Sequence, residues 1–150
     1  MKPFRWLSLF LMWSVVSALA AADVLVPSSL EKGTLLASNG RAAMPLVISE
    51  KASASIKATA EELAGYLGRI SGAEFVVETG DGSRGLVLGR AADFAKLSFT
   101  VEFGAGPFER EDYVLRSQPK ALYLVGASDL AVSHAAWDLL HRLGYRQFFP

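Results

Sequence analysis

The chain has 150 residues, and its 15 Lys and Arg residues balance its 15 Asp and Glu residues, with no cysteine. The lack of cysteine excludes disulfides, thiolate metal sites and a lipid-modified cysteine, and the lack of a basic excess argues against a nucleic-acid partner. Stability must therefore come from a packed core, which a chain of this length can bury.

The first 22 residues have the pattern of a secretory signal peptide. Lys2 and Arg5 precede an apolar run from Trp6 to Ala20, and alanines follow as far as Asp23. The run is shorter than the ~20 residues that span a bilayer, so cleavage is favoured over the alternative of an uncleaved anchor. We predict that residues 1–22 are removed, that the mature protein is secreted or periplasmic, and that no membrane span remains.

A lead-in segment, residues 23–43, comes next. It contains Pro27, Gly33 and Gly40 and has no sustained hydrophobic period. It predicts one short extended piece near Leu35.

A buried strand at 44–48 and a helix are predicted to follow. The helix is indicated by apolar residues that recur at spacings of three and four, namely Ile56, Ala60, Leu63, Leu67 and Ile70. Ser53 or Ser55 can cap its first turn, and Gly72 can adopt the left-handed conformation that ends it.

Two short runs, 75–78 and 85–89, are separated by the turn-forming sequence TGDGSR. A hairpin is the simplest interpretation, and a parallel arrangement stays open. We expect a short helical turn and an irregular excursion over 90–110, because apolar residues there are mixed with glycine and proline.

A second pair of strands is predicted at 112–117 and 121–126, joined antiparallel through Pro119. A second helix is predicted from Ser128 or Asp129. It extends to Leu143, just before Gly144, and its apolar stripe consists of Val132, Ala136, Leu139, Leu140 and Leu143.

The order of these elements predicts an α+β fold. We expect a mainly antiparallel or mixed β-sheet with two helices packed on one face. Residues 44–150 are expected to form this domain, after the signal peptide (1–22) and the lead-in (23–43).

Few residues suggest chemistry within the domain. Glu109, Glu111 and Asp112 could supply an acid and a base, but a charged loop that enters a strand is normally a solvated connection. His134 and His141 lie seven residues apart on one helix, about 10 Å, which is too far for one shared metal ion. We therefore expect no catalytic residue, no cofactor-binding residue and no metal ligand.

Four stretches of the chain carry a resemblance to a known family. They read TAEELAGYLGRISGAEFVV, GLVLGR, DYVLRSQPKALYLVGAS and AVSHAAWDLLHRLGYRQFFP. Together they resemble the N-terminal α/β domain that precedes the catalytic barrel in α-glucuronidases, and their layout is similar to the corresponding second domain of β-N-acetylhexosaminidases. A group of uncharacterised secreted bacterial proteins shares this front end.

Two motifs make the resemblance specific. The pattern AAxELxxYLxxxTG is matched by Ala60, Glu62, Leu63, Tyr66, Leu67, Ser71 and Gly72, and FLxxLGxRWxxP by Leu139, Leu140, Leu143, Gly144, Arg146 and Pro150. The chain departs from the second pattern at Gln147, where the family usually has Trp.

The resemblance implies that this is a non-catalytic accessory domain of a secreted glycoside hydrolase acting on uronic-acid or amino-sugar glycans. Its partner would be a catalytic barrel downstream in the same polypeptide, with no cofactor. The apolar residues Tyr145, Phe148 and Phe149 are the predicted interdomain contact, and the chain is expected to continue past Pro150. The alternative is a free-standing module that binds glycans or another partner through these same aromatic residues.

Overall fold

The computed structural model describes residues 24–26, 33–104 and 106–146, so the predicted signal peptide lies outside the described residues. The strands are β1 (Val24–Val26), β2 (Thr34–Ser38), β3 (Arg41–Ala42), β4 (Leu46–Ile48), β5 (Val77–Thr79), β6 (Gly85–Arg90), β7 (Tyr113–Gln118) and β8 (Ala121–Gly126). The helices are α1 (Ala54–Ser71) and α2 (Asp129–Arg142), and short 3₁₀ turns occupy Ala91–Asp93 and Glu109–Glu111.

The main sheet has five strands in the order β5-β4-β6-β8-β7. β4 pairs parallel with both β5 and β6, β6 pairs parallel with β8, and β7 pairs antiparallel with β8. Both helices pack on one face of this sheet. The predicted α+β fold, with a mixed sheet and two helices on one face, is confirmed.

The three inner strands are buried on both faces, which explains their nearly continuous apolar sequences. Alternate residues of a strand face opposite sides of the sheet, so Leu46, Leu86 and Leu122 face the helices. Val47 and Val87 belong to a second cluster on the other face.

The predicted ends of α1 are confirmed. Ser53 rather than Ser55 is the N-cap, and its hydroxyl accepts the Ile56 N–H at 3.2 Å. Gly72 has φ 70°, and its N–H donates to the Gly68 carbonyl. The predicted apolar face is buried except at its last position, where Ile70 is only half-buried.

Helix α2 is capped by Ser128, one of the two predicted caps, which accepts the Ala131 N–H at 3.2 Å. The helix ends at Arg142, one residue before the predicted end, and Leu143 is half-buried. The chain then turns at Gly144, whose φ of 90° is in the left-handed region that favours glycine.

The hairpin predicted from 75–78 and 85–89 is wrong, because β4 lies between β5 and β6 and pairs with both. The intervening segment crosses over β4 on the face opposite the helices. A Cβ atom added at Gly80 or Gly85 would lie 2.7 or 2.8 Å from a methyl group of Val47. The glycines therefore permit a close crossing rather than a tight turn.

The second predicted hairpin is confirmed. β7 pairs with β8 from Tyr113 opposite Gly126 to Gln118 opposite Ala121. Pro119 and Lys120 form the link, since proline cannot continue a paired strand.

The predicted excursion covers the face of the sheet that the helices leave open. It contains the two 3₁₀ turns, and Phe94 is buried against β6 and β8. Leu97, Phe99 and Val101 are half-buried on the same cluster, around the fully buried Tyr123.

The lead-in contains more structure than the single extended piece that was predicted. β1, β2 and β3 form a small antiparallel sheet, with Asn39 and Gly40 at positive φ in the turn between β2 and β3. Leu36 and Ala37 are fully buried in the same core as the two helices.

Candidate functional site

The predicted interdomain contact lies beside a cluster of three aromatic side chains. Of the three predicted residues, Tyr145 is described, whereas Phe148 and Phe149 lie outside the described residues. Tyr145 packs with Tyr66 of α1 and Trp137 of α2, and all three side chains are half-buried. We call these three residues the aromatic cluster.

The positions of Tyr66 and Trp137 follow from the helical period. Tyr66 directly precedes the buried Leu67, and Trp137 directly follows the buried Ala136. Each aromatic residue therefore lies at the border of the buried face of its helix. Because α1 and α2 pack side by side on the sheet, these two borders meet.

Tyr145 reaches the cluster because the chain folds back on the end of α2. Its N–H donates to the Leu140 carbonyl at 3.0 Å. The Arg146 guanidinium donates to the His141 carbonyl at 2.7 Å. These bonds satisfy carbonyls that the helix end leaves free.

The geometry of the cluster is that of favourable aromatic pairs. The Tyr66 ring centroid lies 4.8 Å from that of Tyr145, edge to face, and 5.4 Å from that of Trp137. Pairs at such distances contribute ~0.5–1.5 kcal/mol beyond their buried area. The Arg69 guanidinium lies 4.2 Å from the Tyr66 ring centroid, in cation–π geometry.

The hydroxyl groups of Tyr66 and Tyr145 are hydrogen-bonded to each other. A hydrogen bond with Tyr66 raises the pKa of Tyr145, and partial desolvation acts in the same direction. The Tyr145 hydroxyl therefore stays neutral near neutral pH. The cluster presents an amphipathic surface with the guanidinium groups of Arg69 and Arg146 beside it.

A second group of polar residues lies where β4, β6 and β8 end. Arg90 forms a bidentate ion pair with Asp93, with nitrogen–oxygen distances of 2.8 and 3.2 Å. Its Nε also lies 3.7 Å from Oδ1 of Asp129, and Ser53 Oγ donates to Asp129 Oδ2 at 2.6 Å. We call Ser53, Arg90, Asp93 and Asp129 the strand-end network.

The strand-end network lies at the edge where ligands bind in many open parallel sheets, and both helices begin there. Its charged groups form ion pairs with one another, and only Oδ1 of Asp129, 3.7 Å from Arg90 Nε, accepts no hydrogen bond from the described residues. The hydrogen bonds to Asp93 raise the pKa of the Arg90 guanidinium. The arrangement ties β6 to the first turns of α1 and α2.

The loop carboxylates considered as an acid–base pair have different surroundings. The Glu109 side chain folds back on the backbone of Gly104 and Gly106, and its Oε2 atom is buried. Glu111 and Asp112 are exposed. One carboxylate is thus packed on the loop and two lie in solvent.

The two histidines lie on the outer side of α2, where His134 is half-buried and His141 is exposed. Within the described part of the chain, no three His, Cys, Asp or Glu residues are close enough to hold a metal ion together.

A shallow cleft of about 490 Å³ opens beside β3 and the start of β5. Its walls are formed by Gly40, Arg41, Ala42, Ala43, Met44, Pro45, Glu74 and Val76. It offers one cation and one anion among small side chains, without the converging polar groups of a typical ligand site.

Sequence reasoning identified Tyr145 but missed its partners Tyr66 and Trp137. The signal for these two was their position, because each aromatic residue directly flanks a predicted buried residue of its helix. Sequence reasoning also missed the strand-end network. The sequence feature that could have indicated it is Arg90, a charged residue directly after the predicted strand 85–89.

No family model matches the chain, and no curated protein matches it significantly. Among the described residues, none of the helices is both long and apolar enough to cross a membrane.

Proposed function

We propose that the chain is a non-catalytic accessory domain of a secreted carbohydrate-active enzyme of the α-glucuronidase-like kind. In this proposal the domain supports a catalytic barrel in the same polypeptide. The observation that carries it is the aromatic cluster, where Tyr66, Trp137 and Tyr145 come together at the surface of the helical layer.

The composition of the cluster favours a protein interface over a sugar platform. Aromatic residues and arginine are enriched at the centres of protein interfaces. Sugars, in contrast, stack on an open ring face, whereas Arg69 covers one face of Tyr66 and the Tyr66 ring packs edge to face with Tyr145. This is why we place the interdomain interface, rather than a free-standing glycan site, at the cluster.

The ion pairs of the strand-end network are consistent with a non-catalytic role for this domain. Glycoside hydrolysis usually needs two carboxyl groups on opposite sides of a substrate pocket. Asp93 and Asp129 instead share the cation of Arg90, and Asp129 also accepts the Ser53 hydroxyl. The Asp129 carboxylate thus links β6 to both helices, and the Asp93 carboxylate pairs with Arg90 within the turn that follows β6.

The decisive experiment compares residues 23–150 with the full natural polypeptide on aryl glycosides and uronic-acid-capped oligosaccharides. We expect turnover only from the full polypeptide. Glu109→Gln and Asp112→Asn should leave that turnover unchanged. Turnover by residues 23–150 that either substitution abolishes would contradict the accessory role.

The interface is tested by Trp137→Ala in the full polypeptide, with Leu130→Ala as control. Leu130 is a 48% exposed apolar residue on the same helix but outside the cluster. We expect Trp137→Ala to increase proteolytic cleavage between the domain and the barrel, and Leu130→Ala to have little effect. Glycan binding by residues 23–150 that is lost in Trp137→Ala would instead favour the free-standing module.

A further inference from the structure

A segment of the excursion, residues 97–103, has the sequence pattern of a β-strand. It reads LSFTVEF, and its residues alternate between a half-buried apolar side chain and an exposed polar one. The half-buried residues are Leu97, Phe99, Val101 and Phe103, and the exposed ones are Ser98, Thr100 and Glu102. Period-two alternation of β-branched and aromatic residues is typical of a half-buried strand.

The segment is anchored to the sheet by its apolar side. The Phe99 ring packs edge to face on Tyr123, with centroids 5.0 Å apart. The Arg116 guanidinium lies 4.7 Å from the Phe99 centroid. Just before the segment, the Lys96 N–H donates to the Asp81 carbonyl at 3.0 Å, which fixes where the segment starts.

The backbone of the segment has no partner among the described residues. No backbone hydrogen bond joins any residue of 97–103 to another residue of the described ranges. The chain bends at Ser98 and Phe99, so pairing with a further strand would also straighten the segment. Unpaired N–H and C=O groups beside alternating side chains favour such pairing.

The sequence of the segment is complementary to itself in one antiparallel register. With Thr100 opposite Thr100, Phe99 meets Val101, Leu97 meets Phe103 and Ser98 meets Glu102. Aromatic with β-branched, apolar with apolar and hydroxyl with hydroxyl are favourable cross-strand pairs. In this register Glu102 also lies diagonally across from Lys96 of the other strand, whose ammonium group pairs with Asp81 of its own chain.

We propose that residues 97–103 pair antiparallel with the same residues of a second copy of this chain, about a twofold axis at Thr100. The symmetric register forms the Thr100 pair once, on the axis, and every other pair twice, as a closed dimer requires. A single strand pair buries less than the ~1,200 Å² of a typical stable interface, so the dimer depends on protein concentration.

The test uses the fact that the chain has no cysteine of its own. Thr100→Cys places two thiols opposite each other on the axis. Directly opposite residues of antiparallel strands have Cα atoms ~4.5–5.5 Å apart, within the ~4.4–6.8 Å that a disulfide spans. Ser98→Cys is the matched control, because its two copies would be offset by four residues, about 13 Å along the strands.

We expect mild oxidation of the full chain to convert Thr100→Cys into a covalent dimer of twice the monomer mass and to leave Ser98→Cys monomeric. Both side chains are exposed, so neither substitution should disturb the fold, which circular dichroism can verify. A monomeric Thr100→Cys variant, or equal cross-linking of both variants, would overturn the proposal.

A second measurement tests the register through the charge at residue 102. It uses sedimentation of the full chain, with no cysteine introduced. Glu102→Lys should shift the monomer–dimer equilibrium towards monomer, because it brings two lysines together. Adding Ser98→Glu to it should restore the dimer, because residues 98 and 102 lie directly opposite each other in this register and both are exposed. A double variant that stays as dissociated as Glu102→Lys would contradict the proposed register.

Discussion

Leu63 on α1 and Leu139 on α2 are both almost fully buried against the same face of the sheet. Neither side chain contacts solvent, so truncation would remove buried methyl groups and leave a cavity between helix and sheet. Each helix thus contributes a buried leucine to the same core cluster.

We predict that Leu63→Ala and Leu139→Ala each lower the free energy of unfolding by ~2–5 kcal/mol. Glu61→Ala, at an exposed position of α1, should change it far less. Urea denaturation of the three variants measures the difference. Equal stabilities for the leucine and glutamate variants would show that the buried faces are assigned incorrectly.

Substitution by alanine is expected to have opposite effects on stability at Gly126 and Gly65. A Cβ atom at Gly126 would lie 2.7 Å from the Val132 backbone nitrogen, so Gly126→Ala should destabilise the fold by ~1–3 kcal/mol. Gly65 lies inside α1 with nothing within 4 Å of such an atom, so Gly65→Ala should stabilise it by ~1 kcal/mol. Thermal unfolding should show midpoints that move in opposite directions.

At the scale of elements, the two helices are linked at their first turns. The Ser53 hydroxyl caps α1 and also donates to Asp129, the first residue of α2. A local cap on one helix is thus a tertiary contact with the other.

Ser53→Ala should therefore cost ~0.5–2 kcal/mol as the loss of a cap. A double-mutant cycle with Asp129→Ala should give a coupling free energy of ~0.5–3 kcal/mol, because the two residues share a hydrogen bond. Strictly additive effects would mean that the bond between the helices contributes nothing to stability.

The helices could be predicted from the sequence more fully than the order of the strands. Helix positions and caps were predictable because Ser53, Ser128 and Gly72 act locally, within one turn of the residues they cap. The order of the strands was not, because the glycine-rich turn at 80–82 suits a hairpin and a crossing over β4 equally well. The choice between them depends on β4, which lies more than 30 residues earlier.

The candidate site was predictable to a similar extent. Tyr145 was recognisable because it is an apolar residue just after a helix. Tyr66 and Trp137 could not be joined to it from sequence, because their contact depends on how α1 and α2 pack on the sheet.

At the scale of the whole molecule, the sheet is covered differently on its two faces. Helices cover one face, and the irregular excursion covers the other. The excursion is tied to the crossing segment by an exposed ion pair between Asp81 and Lys96, at 2.9 Å.

This tie predicts a dependence of stability on acid. Hydrogen bonds from Ser83 and the ion pair with Lys96 hold the pKa of Asp81 well below its usual range. A carboxyl with a lowered pKa stabilises the fold above its unfolded pKa of ~4, and this contribution is lost as the pH falls towards the lowered value.

The free energy of unfolding of the wild-type protein should therefore fall more steeply below pH ~4 than that of Asp81→Asn. Asp112→Asn serves as the control, since Asp112 is an exposed carboxyl without an ion pair among the described residues. Parallel curves for wild type and Asp81→Asn would show that the tie does not stabilise the fold.

The crossing over β4 also has a kinetic consequence. β7, β8 and α2 follow one another along the chain and pack together, so this unit can assemble with little loss of chain entropy. β6, at the centre of the sheet, must instead find β4 and β8, and its pairing with β4 closes a loop from Leu46 to Leu86. We expect φ-values near 1 for Leu139→Ala and near 0 for Val47→Ala, measured by stopped-flow refolding. β6 would thus be the last strand to complete its pairing, because one of its two neighbours, β8, is synthesised after it.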